Sequence, residues 1–192
     1  GARLLVAMWV GTGIGGGVVL DGRLWTGANR NAGEIGHTQI DLRRALPGQP
    51  DGTLEGTASK TGMTRFLRKR IEKGEKTVLA EVVLRKGTRL KTSDLVKAVQ
   101  AGDALAVKAI ERSARAVGVV VANVWNLLAP DVFVIGGGVA TDLGDAYLGL
   151  VRDTARRFAF TTELGALEVV PAALGDDAGI LGAALLSRDT PV

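Results

Sequence analysis

Seven residues, Gly11-Thr12-Gly13-Ile14-Gly15-Gly16-Gly17, follow directly on the apolar run Leu4 to Val10, and five of them are glycine. A strand feeding such a turn can crowd backbone N–H groups around one anion, because no side chain blocks them. Thr12 adds a hydroxyl inside the run. No Lys-Ser/Thr pair comes after the glycines, which excludes the P-loop pattern. Next in the chain are Val18-Val19-Leu20, the tight-turn pair Asp21-Gly22, then Arg23-Leu24-Trp25. That is a hairpin and not a helix, which excludes a Rossmann turn. A nest for phosphate oxygens accounts for the run; a glycine-rich β-turn without a ligand is the alternative.

The chain has 192 residues, 27 of them glycine, about twice ordinary usage. With no collagen period and no Gly/Ser linker, the excess belongs at particular turns. The absence of cysteine excludes disulfides, thiolate metal sites and cysteine nucleophiles, and fits a reducing compartment. The net charge of +4 suits anionic ligands without pointing to nucleic acid. No apolar run reaches the ~18 residues of a membrane span, so a cytoplasmic protein is expected. The chain opens at Gly1, directly on an apparent buried strand, and is expected to be a fragment lacking residues before it.

Strands are expected over 3–10, in the hairpin, from His37 to Leu42, over Val132–Ile135 and over Leu167–Val170. Residues 26–34 and 43–53 read as loops. Leu54–Ile71 reads as one helix, and 77–86 and 93–100 as shorter ones. Asp103 is the expected N-cap of a long buried helix running to about Leu128 and closed by Pro130. Further helices are expected from about Asp142 to Phe158 and over 178–187.

Three more constellations could carry chemistry. Gly136-Gly137-Gly138 ends the apolar strand Val132–Ile135. Ligands bind at the carboxyl ends of such strands, and three glycines would let a flat ring lie on the backbone; a tight strand-to-helix turn is the alternative. Glu34 and His37, with Glu55 further on, offer two carboxylates and an imidazole to the hydroxyls of a sugar. His37 is the only histidine, and a structural role for it is the alternative. The stretch Arg65 to Lys76 holds six basic and two acidic residues and reads as a solvated helix face, with nucleic-acid contact as the sharper alternative.

Taken together these segments resemble the ROK family of bacterial sugar kinases and sugar-responsive repressors. Gly11 to Gly17 is similar to the family's second phosphate motif. Ala32-Gly33-Glu34-Ile35-Gly36-His37 is similar to its Gly-Glu-x-Gly-His signature, and Gly52-Thr53-Leu54-Glu55 to its Gly-Cys-Leu-Glu stretch. Asp131 to Gly138 resembles the adenosine motif, and Gly175 to Ala184 the C-terminal segment.

The resemblance implies an α/β lobe of the actin-like ATPase (ribonuclease H-like) fold, with a mixed sheet and flanking helices. It implies ATP with Mg²⁺ as cofactors, a hexose as substrate and a homodimer. Gly11, Thr12 and Gly13 would hold phosphates, Gly136, Gly137 and Gly138 the adenosine, and Glu34, His37 and Glu55 the sugar. Residues 1–192 would form the C-terminal, larger lobe. The catalytic aspartate would lie in an absent N-terminal lobe, leaving no catalytic residue here and an inactive fragment. The family's zinc site joins the signature histidine to three cysteines; the aligned positions are Leu46, Gly48 and Thr53, so no structural zinc is expected. The alternative within the family is the sugar-sensing domain of a repressor, which alone would bring nucleic acid as a partner.

Overall fold

The computed structural model describes residues 1–44, 52–160 and 166–189. Its centre is a five-stranded mixed sheet in the order β3-β2-β1-β4-β5. β1 (Leu4–Val10) pairs antiparallel with β2 (Ile14–Leu20) and parallel with β4 (Val132–Gly136). β3 (Arg23–Leu24) extends the antiparallel edge, and β5 (Val169–Pro171) pairs parallel with β4. Asp21 (φ 50°) and Gly22 (φ 75°) both take positive φ, the geometry a two-residue hairpin turn needs.

Alternation along β1 buries Val6, Met8 and Val10 on one face and leaves Trp9 on the other. Asp131 joins β1 to β4 at their starts: its Oδ2 accepts from the amides of Leu4 (2.7 Å) and Arg3 (2.8 Å). Those two bonds hold its carboxyl below the ordinary aspartate value.

The helices are α1 (Leu54–Ala58), α2 (Lys60–Ile71), α3 (Ala80–Leu84), α4 (Thr92–Gln100), α5 (Ala104–Leu128), α6 (Gly138–Phe158) and α7 (Ala178–Asp189). Asp103 caps α5 as expected, its Oδ1 accepting from Leu105 and Ala106, both at 2.9 Å. Ala129, at φ 42°, ends α5 just before Pro130. α5 packs along α6 so closely that a Cβ on Gly118 would sit 2.7 Å from the Val151 carbonyl oxygen. Between the two helices Ser113 Oγ donates to the Ala58 carbonyl (2.7 Å) and lies 2.9 Å from the Tyr147 hydroxyl. With the serine proton so used, the tyrosine is the donor of the second bond. Full burial raises the Tyr147 pKa well above its ordinary value, against the smaller opposing effect of Ser113. No described helix is long and apolar enough to cross a membrane.

Several boundaries differ from the sequence reading. Leu54–Ile71 is two helices, because Ser59 leaves helical geometry (φ −68°, ψ 164°) and its hydroxyl caps α2 at the Gly62 amide, 3.0 Å away. His37 to Leu42 is not a strand: Gln39 makes one isolated bridge to Thr53 between two short 3-10 turns. Gly15, Gly16 and Gly17 lie within β2 and not in the turn, which spans Gly11 to Gly13 alone. α6 begins at Gly138, ahead of Asp142, and is interrupted at Gly144.

Candidate functional site

The turn between β1 and β2 distributes its polar groups unevenly. The Gly11 amide donates to the Gly13 carbonyl at 2.9 Å. The Ile14 amide donates to Glu55 Oε2 at 2.7 Å. On the other side, the Gly11 carbonyl accepts from the Lys60 amide (2.9 Å), and the Thr12 carbonyl accepts from the Thr61 hydroxyl (2.8 Å). The N-terminus of α2 therefore takes up the carbonyls. The amides of Thr12 and Gly13 are left with no acceptor among the described residues. Two neighbouring donors without partners are what an anion needs from a backbone. Gly11, Thr12 and Gly13 do form one turn, but the available donors are the amides of Thr12 and Gly13, since that of Gly11 is internally satisfied.

Glu55 stands on the first turn of α1, which Thr53 caps by accepting from the Gly56 amide at 2.9 Å. From there its carboxylate reaches directly beneath Gly13, where any Cβ would collide with it. Thr53, at one of the family's zinc-ligand positions, is thus a helix cap here. Leu46 and Gly48, the other two, lie outside the described residues. Among the described residues no three His, Cys, Asp or Glu side chains gather as metal ligands, so no protein ligand for Mg²⁺ is assigned.

The glycines of β2 serve a second purpose. A Cβ on Gly16 would meet the Gly33 carbonyl oxygen at 2.8 Å and Ile35 Cγ2 at 2.6 Å, and one on Gly36 would collide with the Ile14 carbonyl oxygen. Glycine on both sides lets the Gly33–His37 segment lie directly on β2. The Leu54 amide then donates to the Thr38 carbonyl at 2.9 Å, joining this segment to α1. Ile14 consequently has Glu55 at its amide and the Gly36 backbone at its carbonyl, which sets the segment carrying Glu34 and His37 beside the residue that Glu55 holds. His37 Nε2 is 3.8 Å from Glu34 Oε2, with both side chains mostly exposed (70% and 66%) and open to a ligand.

The second glycine cluster adjoins the first. Gly137 has φ 84°, and a Cβ there would lie 2.6 Å from the Val10 carbonyl oxygen, at the end of β1. Gly137 and Gly138 open a cavity of about 730 Å³ bounded across from them by Gly175 and by Gly179 and Gly182 of α7. Gly136 does not line it. Its missing side chain instead seats the Trp9 indole, whose Nε1 would be 3.1 Å from a Cβ at that position. Trp9 does line the cavity and is 36% exposed. Sequence reasoning did not single it out; the signal was a lone large aromatic at the outward position of β1, two residues before the glycine turn.

In the basic stretch, Phe66 faces the core, and the guanidinium groups of Arg112 and Arg70 stand 5.4 and 5.9 Å from its ring centre. Arg70 also pairs with Glu75. The charges are thus partly engaged in packing α2.

Mixed sheet, glycine turn and glycine-walled cleft give the chain the actin-like ATPase fold, which its structural neighbours share. The ROK family profile matches residues 1–190, and the chain belongs to the ROK family. A glucokinase from Halalkalibacterium halodurans is 34% identical over 190 residues, which are 98% of this chain and 57% of that protein. A ROK family glucokinase from Streptomyces griseus, solved with glucose and AMPPNP, superposes with a TM-score of 0.81 at 29% identity, over 99% of this chain and 62% of that one. A ROK family transcriptional regulator, described as a homologue of the E. coli MLC protein, superposes at 0.78 with 31% identity, over 97% of this chain and 46% of that one. The chain thus spans less than two thirds of the length of each.

Proposed function

We propose that the intact protein transfers the γ-phosphoryl group of ATP to a hydroxyl of a hexose, and that residues 1–192 are the lobe that holds the phosphates, the adenosine and part of the sugar. The observation that carries this reading is the pair of unpartnered amides at Thr12 and Gly13, next to a glycine-walled cavity of about 730 Å³. ATP, when bound, supplies the phosphoryl group.

The chain's residues have separable tasks in this reading. The Thr12 and Gly13 amides and the Thr12 hydroxyl donate to phosphate oxygens. Glu55 fixes the turn through the Ile14 amide and turns its remaining oxygen to the sugar. Glu34 and His37 accept and donate to sugar hydroxyls, holding the attacking oxygen in line. Gly137 and Gly138 admit the adenosine, and Trp9 offers an aromatic face at the cavity wall. The base for the sugar proton lies, in this proposal, in the part of the protein outside these residues, so the 192 residues alone transfer nothing.

A coupled assay of the intact protein with ATP and glucose tests the reading. Sugar phosphate formation dependent on both is the expected result; sugar binding without turnover refutes it. The regulator's similarity supports a second reading, in which the same sugar-binding residues serve a repressor and nucleic acid is bound elsewhere in the protein.

A further inference from the structure

α2 begins against the phosphate turn, and the donors of its first turn are divided between the helix and that turn. The first amides of a helix have no partner inside it. The third of these, Gly62, donates to the hydroxyl of the N-cap Ser59 at 3.0 Å. The first, Lys60, donates to the Gly11 carbonyl at 2.9 Å. The second, Thr61, faces the Thr12 carbonyl at 3.4 Å, and the Thr61 hydroxyl donates to the same oxygen at 2.8 Å.

Each of those carbonyls shares one planar peptide unit with the amide of the next residue. No cis peptide occurs among the described residues, so within each unit the N–H points opposite to the C=O. The Gly11 carbonyl, held towards Lys60, sends the Thr12 N–H away from α2. The Thr12 carbonyl, held towards Thr61, does the same to the Gly13 N–H. The next unit is fixed as well: the Gly13 carbonyl accepts from the Gly11 amide at 2.9 Å, and the Ile14 amide donates to Glu55 at 2.7 Å. Three consecutive peptide units are thus anchored. Glycine on either side of Thr12 would otherwise let these units rotate. A unit turned over would offer an anion its carbonyl oxygen in place of its N–H, an acceptor where a donor is needed.

We propose that Thr61 is a positioning residue of the phosphate turn. Its hydroxyl, together with the Lys60 amide, holds the Gly11–Thr12 and Thr12–Gly13 peptide units so that both N–H groups face the phosphates of the nucleotide. The role rests on the nucleotide reading given above. Thr61 acts through the turn, since its hydroxyl proton is already used on the Thr12 carbonyl.

The two anchors can be removed separately in the intact protein. Thr61 is exposed, and Thr61→Val keeps its shape while deleting the hydroxyl. Lys60→Pro deletes the amide that holds Gly11. Proline suits the first position of a helix, and Ser59 (φ −68°, ψ 164°) already has the extended backbone that precedes a proline. Lys60→Ala keeps the amide and controls for the lost side chain. Calorimetry with a non-hydrolysable ATP analogue, and with adenosine, which carries no phosphate, reads the effect. Thr61→Val is expected to bind the analogue about fivefold more weakly than the native protein, and Thr61→Ser to restore native affinity. Lys60→Pro is expected to bind it about fivefold more weakly than Lys60→Ala. Adenosine affinity is expected to be the same in all of them. Native analogue affinity in Thr61→Val, equal affinities in Lys60→Pro and Lys60→Ala, or a parallel loss of adenosine binding would overturn the positioning role. So would a Thr61→Ser variant as weak as Thr61→Val. An analogue that fails to bind the native protein overturns the nucleotide reading first, before any variant is compared, and the positioning role with it.

Discussion

Glu55 Oε2 accepts the Ile14 amide proton at 2.7 Å, across 41 residues of sequence. The bond fixes the end of the phosphate turn to the first turn of α1, beside the proposed sugar residues. A charged hydrogen bond of this kind is worth about 1.5–3 kcal/mol. Glu55→Ala is expected to lower stability by about that amount and to weaken both nucleotide and sugar binding. Glu55→Gln keeps a carbonyl acceptor for Ile14 and is expected to spare stability and nucleotide affinity while still weakening the sugar. Urea denaturation and separate KM values for the two substrates check the pair; equal effects of Gln and Ala contradict the anchoring role.

Trp9 gives the cavity its aromatic wall. Stacking on a base is worth about 1–3 kcal/mol by alanine substitution. Trp9→Ala is expected to raise the nucleotide Kd by about that equivalent, with sugar affinity unchanged. Nucleotide addition is also expected to quench Trp9 emission in a variant whose other tryptophans are replaced by phenylalanine. Unaltered nucleotide affinity in Trp9→Ala would remove the residue from the site.

Ser113 connects three helices through the Ala58 carbonyl and the Tyr147 hydroxyl. Ser113→Ala leaves both groups buried without a partner and is expected to cost about 1–3 kcal/mol for each group so stranded. Tyr147→Phe leaves the Ser113–Ala58 bond in place and is expected to cost less. Urea midpoints of the two variants compare these costs, and a larger loss from Tyr147→Phe contradicts the assignment of donor and acceptor.

The elements governed by local chemistry were legible in the sequence. The continuous apolar run Leu4 to Val10 announced β1, Asp21-Gly22 the hairpin, and Asp103 the start of α5, because each signal lies within a few residues of its effect. Long-range contacts were not legible. Gly16 is glycine because Gly33 and Ile35 lie on it, so three glycines assigned to a turn belong to a strand. Residues 37–42 alternate like a strand, but Gln39 finds only one bridging partner, Thr53. Ser59 escaped notice as a helix break because its neighbours on both sides favour helix. In the site, the residue types near Ile14 were readable; the partners of the turn were not, because Glu55 takes the Ile14 amide and Lys60 and Thr61 take the Gly11 and Thr12 carbonyls, all from more than 40 residues away.

Asp103 makes stability depend on pH. Burial by itself would raise its carboxyl pKa, but hydrogen bonds from Ala106, Thr77, Val78 and Leu105 outweigh burial and hold it below the ordinary value. A group lowered in the folded state contributes stability that is complete above its unfolded value of about 3.9 and is lost as pH falls through the folded value. Asp103→Asn is therefore expected to be less stable near neutral pH, with the gap to the native protein narrowing as pH drops below about 4. Urea midpoints across that range check it, and a gap that widens towards acid contradicts the sign.

In the proposed function, the Thr12–Gly13 turn holds a nucleotide's phosphates next to a separate sugar site. A Cβ at position 13 displaces the Glu55 carboxylate and disturbs the turn. Calorimetric titration of a non-hydrolysable ATP analogue into the intact protein, with glucose present, tests this assignment most directly. One nucleotide per chain is expected for the native protein, and binding at least tenfold weaker is expected for Gly13→Ala. Glucose binding with no nucleotide binding by the native protein, or equal nucleotide affinity in the two, would contradict it.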